Sequence, residues 1–220
     1  MRFDLKSSKE ICLIFDLDGT LVDSESINAK ALIALYEKLP ITVEELVCDY
    51  RGWKLATIVA DIEKRFGEIA RPGAQDRYHA AVEALFTTDL RAFDGVKTAL
   101  QALTYPKCVA SSAPKSKIET ALHAVGLLEV FGPHLFSSYE VGHWKPDPRL
   151  FLHAAERMGY APENCFVIED SLVGIQAAEA AGMTPFLFGS AHAYHASRLN
   201  FQNYSDLQSM LEAEISRRSR

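Results

Sequence analysis

Two aspartates lie one residue apart at the end of an apolar run, in the segment ICLIFDLDGTLVDSE (residues 11–25). Side chains two residues apart in an extended segment point to the same side, so Asp16 and Asp18 can flank a single reacting group. One carboxylate can attack phosphorus, and the second can protonate the leaving oxygen and then take a proton from water. Gly19 lets the chain turn sharply after the pair. These residues favour phosphoryl transfer over a simple acidic turn, which is the ordinary alternative for Asp-Gly.

Further polar side chains follow other short apolar runs that predict strands. They are Ser111 and Ser112 after KCVA, Lys145 beyond LFSSYEVGHW, and Glu169 with Asp170 at the end of CFVIED. Ligands of open parallel sheets bind at the carboxyl ends of the strands, so these side chains are expected to converge. Clustered carboxylates repel each other and a phosphate, and therefore require a hard cation such as Mg²⁺. Lys145 and the Ser111 hydroxyl would hold the equatorial phosphoryl oxygens.

The pattern of apolar residues predicts an α/β fold built on a Rossmann-like, doubly wound parallel sheet. After residue 94, short strand-like runs alternate with helical patterns, which indicates a sheet with helices on both faces. Residues 24 to 91, in contrast, show almost only helical periodicity. We therefore predict an α/β core domain of residues 1–23 and 94–220, interrupted by a helical cap domain of residues 24–93.

Composition narrows the class of protein. The chain has 220 residues and a formal net charge of -6, which argues against non-specific nucleic-acid binding. No stretch approaches the ~18 apolar residues of a membrane span, and MRFDLKSSKE does not resemble a signal peptide. We expect a cytoplasmic protein with no membrane partner and a frayed tail in SRRSR (residues 216–220). Four scattered cysteines without a CxxC pair predict buried free thiols, at Cys12, Cys48, Cys108 and Cys165.

Four segments in the order FDLDGT, CVASS, HWKPDP and VIEDSLVGIQAAEAAGM resemble the four motifs of the haloacid dehalogenase superfamily of phosphohydrolases. The helical insertion after the first motif resembles the small cap of the β-phosphoglucomutase-like subgroup. Through RGWKL and HWKPDPRLFLHAA the chain is also similar to sugar-phosphate phosphatases, in particular bacterial 6-phosphogluconate phosphatases.

The resemblance implies roles for the motif residues. Asp16 would be the nucleophile that forms an aspartyl phosphate, and Asp18 the general acid/base. Mg²⁺ would be bound by Asp16, the backbone carbonyl of Asp18 and Asp170, with Glu169 acting directly or through water. The implied reaction is hydrolysis of a small phosphorylated sugar or sugar acid resembling 6-phosphogluconate. From the size of the capped core we expect a monomer.

Candidate substrate contacts in the cap are Arg51, Trp53 and Lys54, which lie at a glycine-marked break between helices, and Glu25 in the first linker. Ser112 is the corresponding candidate in the core. Exposed loop or helix-start positions are the alternative for each of these cap residues.

Two alternative functions remain. A phosphosugar mutase of the β-phosphoglucomutase type would carry a histidine and an arginine where this chain has Asn28 and Leu55. A catalytically silent binding module would be expected to lack a motif residue, and none is missing.

Overall fold

The computed structural model describes residues 11–50, 55–189 and 199–218. Within them, six strands form one parallel sheet in the order β3-β2-β1-β4-β5-β6. The central strands β1 and β4 are buried at every residue, because helices cover both faces of a parallel sheet. The strands are β1 (Cys12–Phe15), β2 (Lys107–Ser111), β3 (Leu135–Ser137), β4 (Cys165–Glu169), β5 (Thr184–Phe188) and β6 (Asn200–Phe201).

Helices α1 to α5 lie between β1 and β2 in the chain, and the remaining helices connect or follow the other strands. They are α1 (Ser24–Ile33), α2 (Val43–Tyr50), α3 (Leu55–Phe66), α4 (Ala74–Thr88), α5 (Val96–Ala102), α6 (Lys115–Ala124), α7 (Leu128–Phe131), α8 (Ser138–Val141), α9 (Arg149–Met158), α10 (Leu172–Ala180) and α11 (Tyr204–Arg218), with a 3₁₀ turn at Pro162–Asn164. The predicted α/β fold with inserted helices is confirmed. Among the described residues, no helix has the length and apolar character needed to cross a bilayer.

The described residues divide into two compact units. The first contains the sheet and comprises the described residues up to Val22 and from Ala92 onward, and the second is Asp23–Arg91. Each unit has its own apolar core. In the first, α9 and α10 contribute to a buried cluster with the sheet that includes Cys12, Ile14, Cys108, Val167, Phe151 and Ala177. In the second, the core includes Leu32, Leu35, Leu46, Tyr50 and Ile62. That the second unit acts as a substrate-reading cap stays a prediction.

The expectation of a frayed C-terminal tail is wrong for residues 216–218, which form the last turn of α11. Arg217 and Arg218 both pair with Glu214, at 2.6 Å and 3.2 Å, and the Glu214 side chain is buried. The Arg218 guanidinium also lies 4.7 Å from the centre of the Phe166 ring. A buried carboxylate therefore keeps the arginines ordered.

All four cysteines are free, as predicted, but one of them is not buried. Cys12, Cys108 and Cys165 lie inside the first unit, whereas Cys48 on α2 is exposed. Leu46 and Tyr50 are the buried residues of α2. Because successive residues on a helix turn by about 100°, Cys48 lies on the face opposite to Leu46.

We predict that Tyr204→Phe lowers the free energy of unfolding by about 1–2 kcal/mol, because a buried carbonyl loses its donor. Tyr204 is buried at the start of α11, and its hydroxyl donates to the Thr20 carbonyl oxygen at 2.8 Å. Urea unfolding measures the change. Tyr139→Phe on α8 is the matched control, because Tyr139 is 61% exposed. Equal effects of the two substitutions would contradict the prediction.

Candidate active site

The turn after β1 fixes the first aspartate at the edge of the sheet. The Asp16 amide donates to the Ile168 carbonyl at 2.9 Å, so the ladder between β1 and β4 continues one residue beyond β1. The Leu17 carbonyl then accepts from the amides of residues 20, 21 and 22, which closes a tight turn. As a result, the buried Asp16 side chain is held at the carboxyl end of β1.

Gly19 and Thr20 join this turn to the end of β4. Gly19 has a φ of 80°, and a Cβ there would lie 2.3 Å from Oδ2 of Asp170. Only glycine fits both the backbone angle and the space. The Thr20 hydroxyl donates to Oδ1 of Asp170 at 3.2 Å. This hydrogen bond links the turn after β1 to the carboxylate at the end of β4.

Glu169 is anchored through both of its carboxylate oxygens. Oε1 accepts from the amides of Asp170 and Ser171, at 3.2 Å and 3.0 Å, and from the Ser171 hydroxyl at 2.7 Å. Ser171 is the N-cap of α10 and accepts from the Gly174 amide at 3.1 Å. Oε2 accepts from Nζ of Lys145 at 2.6 Å. The residues at the start of α10 thus hold Oε1 of Glu169, and Lys145 holds Oε2.

Three buried carboxylates meet at this edge of the sheet. Oxygens of Asp16, Glu169 and Asp170 all lie within 4.8 Å of one another. Lys145 contacts Oδ1 of Asp16 at 2.5 Å as well as Glu169, and its ammonium lies 5.0 Å from the centre of the Phe151 ring. One ammonium therefore contacts two of the three carboxylates.

The charges of this group perturb one another strongly. Burial raises the pKa of Asp16 well above its usual range, the negative charge of Glu169 raises it further, and Lys145 opposes both effects. Burial alone would lower the pKa of Lys145, but Asp16 and Glu169 outweigh it and raise that pKa. With all four groups ionised, negative charge stays in excess. The oxygen donors and this charge fit a hard divalent cation, so the cluster could hold one.

Ser111 lies at the carboxyl end of β2, the strand next to β1. Its side chain is buried, and its Oγ accepts from the Ala113 amide at 3.1 Å in the turn that leads to α6. Ser112 follows at a half-buried position. These positions agree with the strand-end argument, and their roles stay predictions.

The structure brings four of the predicted site residues into one cluster. Asp16, Lys145, Glu169 and Asp170 lie together, whereas the Asp18 side chain contacts a residue that sequence reasoning missed, Lys117 of α6. Its segment, KSKIETALHA, looks like an ordinary solvated helix start, so no sequence signal pointed to it. Thr20 was also missed, although it lies inside a recognised motif.

The cap candidates are only partly described. Arg51, Trp53 and Lys54 lie outside the described residues. Glu25 lines a cavity of about 40 Å³ within the second unit, together with Asn28 and Tyr78. Burial raises the pKa of Tyr78, and the negative charge of Glu25 raises it further. The role of Glu25 stays a prediction.

Comparison with known proteins identifies the family. Residues 12–182 match the family model of the haloacid dehalogenase-like hydrolases. The chain belongs to this family. It is 38% identical over 179 residues to 6-phosphogluconate phosphatase of Escherichia coli (strain K12), covering 80% of this chain and 81% of that protein. It is 30% identical to fructose-1-phosphate phosphatase of the same organism, over 78% of this chain and 92% of the relative.

A solved structure agrees with the family assignment. A haloacid dehalogenase family hydrolase from Deinococcus radiodurans R1, with bound phosphate and sodium, superposes with a TM-score of 0.83 at 27% identity. The match covers 95% of this chain and 98% of that one. The resemblance recognised from the four motifs is therefore confirmed, as is the prediction of a hydrolase enzyme.

We predict that Gly174→Ala destabilises the protein by about 1–3 kcal/mol through overpacking. Helix propensity alone predicts the opposite sign, since alanine is the better helix former by about 1 kcal/mol. A Cβ at Gly174 would lie 2.0 Å from Cδ of Glu169, which Ser171 and Lys145 hold in place. Urea unfolding of Gly174→Ala in the wild-type and in a Glu169→Ala background tests the cause. In the Glu169→Ala background, Gly174→Ala should leave the free energy of unfolding unchanged or raise it. An unchanged cost in that background would contradict the steric explanation.

We predict that Mg²⁺ stabilises the fold, because it relieves repulsion among the three carboxylates. At one hundred times its Kd, a ligand of the native state stabilises by about 2.7 kcal/mol, which raises Tm by roughly 5 °C or more in a chain of this size. Thermal unfolding with Mg²⁺, against Na⁺ at equal ionic strength, measures the shift. Asp170→Asn should abolish it and Asp206→Asn, an exposed position on α11, should retain it. Equal shifts in both variants would place the metal elsewhere.

Proposed function

We propose that the chain is a Mg²⁺-dependent phosphatase that hydrolyses a small phosphorylated sugar or sugar acid of the 6-phosphogluconate type. The observation that carries the proposal is the buried group of Asp16, Glu169 and Asp170 around Lys145, at the carboxyl ends of β1 and β4. Such a group is costly to bury, and it suits a reaction in which an anionic phosphoryl group and a cation complete the charge balance.

In the proposed mechanism, an Asp16 carboxylate oxygen attacks phosphorus. A bond from Asp16 to phosphorus forms while the bond from phosphorus to the sugar oxygen breaks, and the Asp18 carboxyl donates a proton to that oxygen. Water then attacks the aspartyl phosphate, Asp18 takes the proton from the water, and inorganic phosphate leaves with Asp16 restored. Lys145 and the Ser111 hydroxyl hold phosphoryl oxygens during both steps.

Several residues of the chain would hold the metal ion. We assign Asp16, Asp170 and the backbone carbonyl of Asp18 as ligands, with Glu169 acting directly or through water. When bound, Mg²⁺ neutralises charge on the phosphoryl oxygens and on the carboxylates. Lys145, which already contacts Asp16 and Glu169, keeps these two side chains in place.

The substrate class is supported by the relatives, two of which are named as phosphatases of a phosphorylated sugar acid and a phosphorylated sugar. The bound phosphate of the related structure also agrees with a phosphoryl site in this family. We propose that Arg51, Trp53, Lys54 and Glu25 contact the sugar portion and that Ser112 assists near the phosphoryl group. The expectations of a monomer and a cytoplasmic location rest on the sequence alone.

We predict that Asp16→Asn lowers phosphate release at least about a thousandfold, because the amide oxygen is a poor nucleophile. The assay measures phosphate released from a panel of phosphorylated sugars and sugar acids, with Mg²⁺ and with EDTA. Asp206→Asn is the matched control and should keep the wild-type rate, since it replaces an exposed aspartate on α11.

Two outcomes would contradict the proposal. Unchanged activity of Asp16→Asn would exclude the covalent mechanism. Isomerised sugar phosphates in place of free phosphate would show that the mutase alternative is correct.

A further inference from the structure

We propose that Lys117 is a positioning residue that holds the Asp18 carboxylate in the orientation needed for proton transfer; this inference rests on the proposed function. Nζ of Lys117 lies 3.0 Å from Oδ1 and 2.9 Å from Oδ2 of Asp18. The two residues are 99 positions apart in the sequence, so the contact exists only in the folded chain.

The position of Lys117 is unfavourable by local rules. It lies in the first turn of α6, which contains no acidic residue, and a cation at a helix N-terminus opposes the helix dipole. The pair is also partly solvated, with side-chain exposures of 39% for Lys117 and 28% for Asp18. Ion pairs of that exposure contribute little to stability. A gain in stability is therefore a weak explanation for the contact. A better explanation is that Lys117 contacts Asp18, the proposed general acid/base.

The contact joins the turn that carries Asp18 to the first turn of α6, which follows the loop after Ser111. Asp18 belongs to the turn closed on the Leu17 carbonyl, directly after Asp16. Lys117 is close to Ser111 in the chain, since α6 begins four residues after β2 ends at Ser111. Fixing Asp18 from α6 thus sets the distance between the acid and the phosphoryl group that Ser111 would hold.

An ammonium on both oxygens does not prevent proton transfer. In the protonated carboxyl, one oxygen carries the proton that is donated to the leaving oxygen, while the remaining lone pairs can still accept from Lys117. Without the ammonium, the short Asp18 side chain could rotate away from the leaving group. Displacement by about 1 Å from a productive geometry can reduce a rate by up to about a hundredfold.

The test compares a leaving group that needs a proton with one that does not. 6-Phosphogluconate releases an alkoxide-type oxygen, whereas p-nitrophenyl phosphate releases a stabilised phenolate. Single-turnover release of the leaving group isolates the step in which Asp16 is phosphorylated. We expect Lys117→Met to slow this step about tenfold with 6-phosphogluconate and less than about twofold with p-nitrophenyl phosphate.

Two control variants separate position from charge and stability. Lys115→Met removes a lysine from the same helical turn, where it pairs with Glu140 at 3.6 Å, and should leave both rates unchanged. Lys117→Arg keeps a cation within reach of Asp18 and should retain at least about a third of the wild-type rate. Thermal unfolding of every variant checks that the fold is kept.

A double-mutant cycle completes the test. In an Asp18→Asn background, Lys117→Met should cause no further loss with 6-phosphogluconate, because the group that it positions is gone. Equal slowing of both leaving groups, or a full additional loss in that background, would overturn the role of Lys117. A wild-type enzyme without metal-dependent phosphate release would instead overturn the proposed function itself.

Discussion

The constraint on which the site depends is the burial of three carboxylates, two of which contact the ammonium of Lys145. Asp16, Glu169 and Asp170 repel one another, and burial strengthens the repulsion, so each needs a specific partner. Lys145 forms ion pairs with Asp16 and Glu169, and the Thr20 hydroxyl donates a hydrogen bond to Asp170. The effect extends to α11, where burial and then the charges of Asp170 and Asp16 raise the pKa of Tyr204 well above its ordinary value.

Local sequence features around the cluster follow from the same constraint. The carboxylate of Asp170 occupies the space where a side chain at residue 19 would be, and that of Glu169 occupies the space beside residue 174. Both positions are glycine for this reason. Each of these glycines lies in a recognised motif. The motifs therefore contain the glycines that leave space for the carboxylates as well as the reactive residues.

Much of this arrangement was predictable from the sequence because it follows from strand ends. The apolar runs identified β1, β2 and β4, and the rule that ligands meet at carboxyl ends brought Asp16, Lys145, Glu169 and Asp170 together. Contacts between distant surface residues were not predictable: nothing in KSKIETALHA marks Lys117 as a partner of Asp18. Helix α11 was not predicted, although Leu207, Leu211 and Ile215 have helical spacing. The cap residues that would read the sugar stay predictions.

The measurement that tests the central claim most directly is the location of the phosphoryl group during turnover. The enzyme is mixed with 6-phosphogluconate and Mg²⁺, quenched in acid within milliseconds, and digested, and the peptides are sequenced by mass spectrometry with gentle fragmentation. The account predicts one added phosphoryl group on Asp16, which disappears as substrate is exhausted. A phosphoryl group on any other residue would contradict the assignment of Asp16 as the nucleophile in the buried cluster.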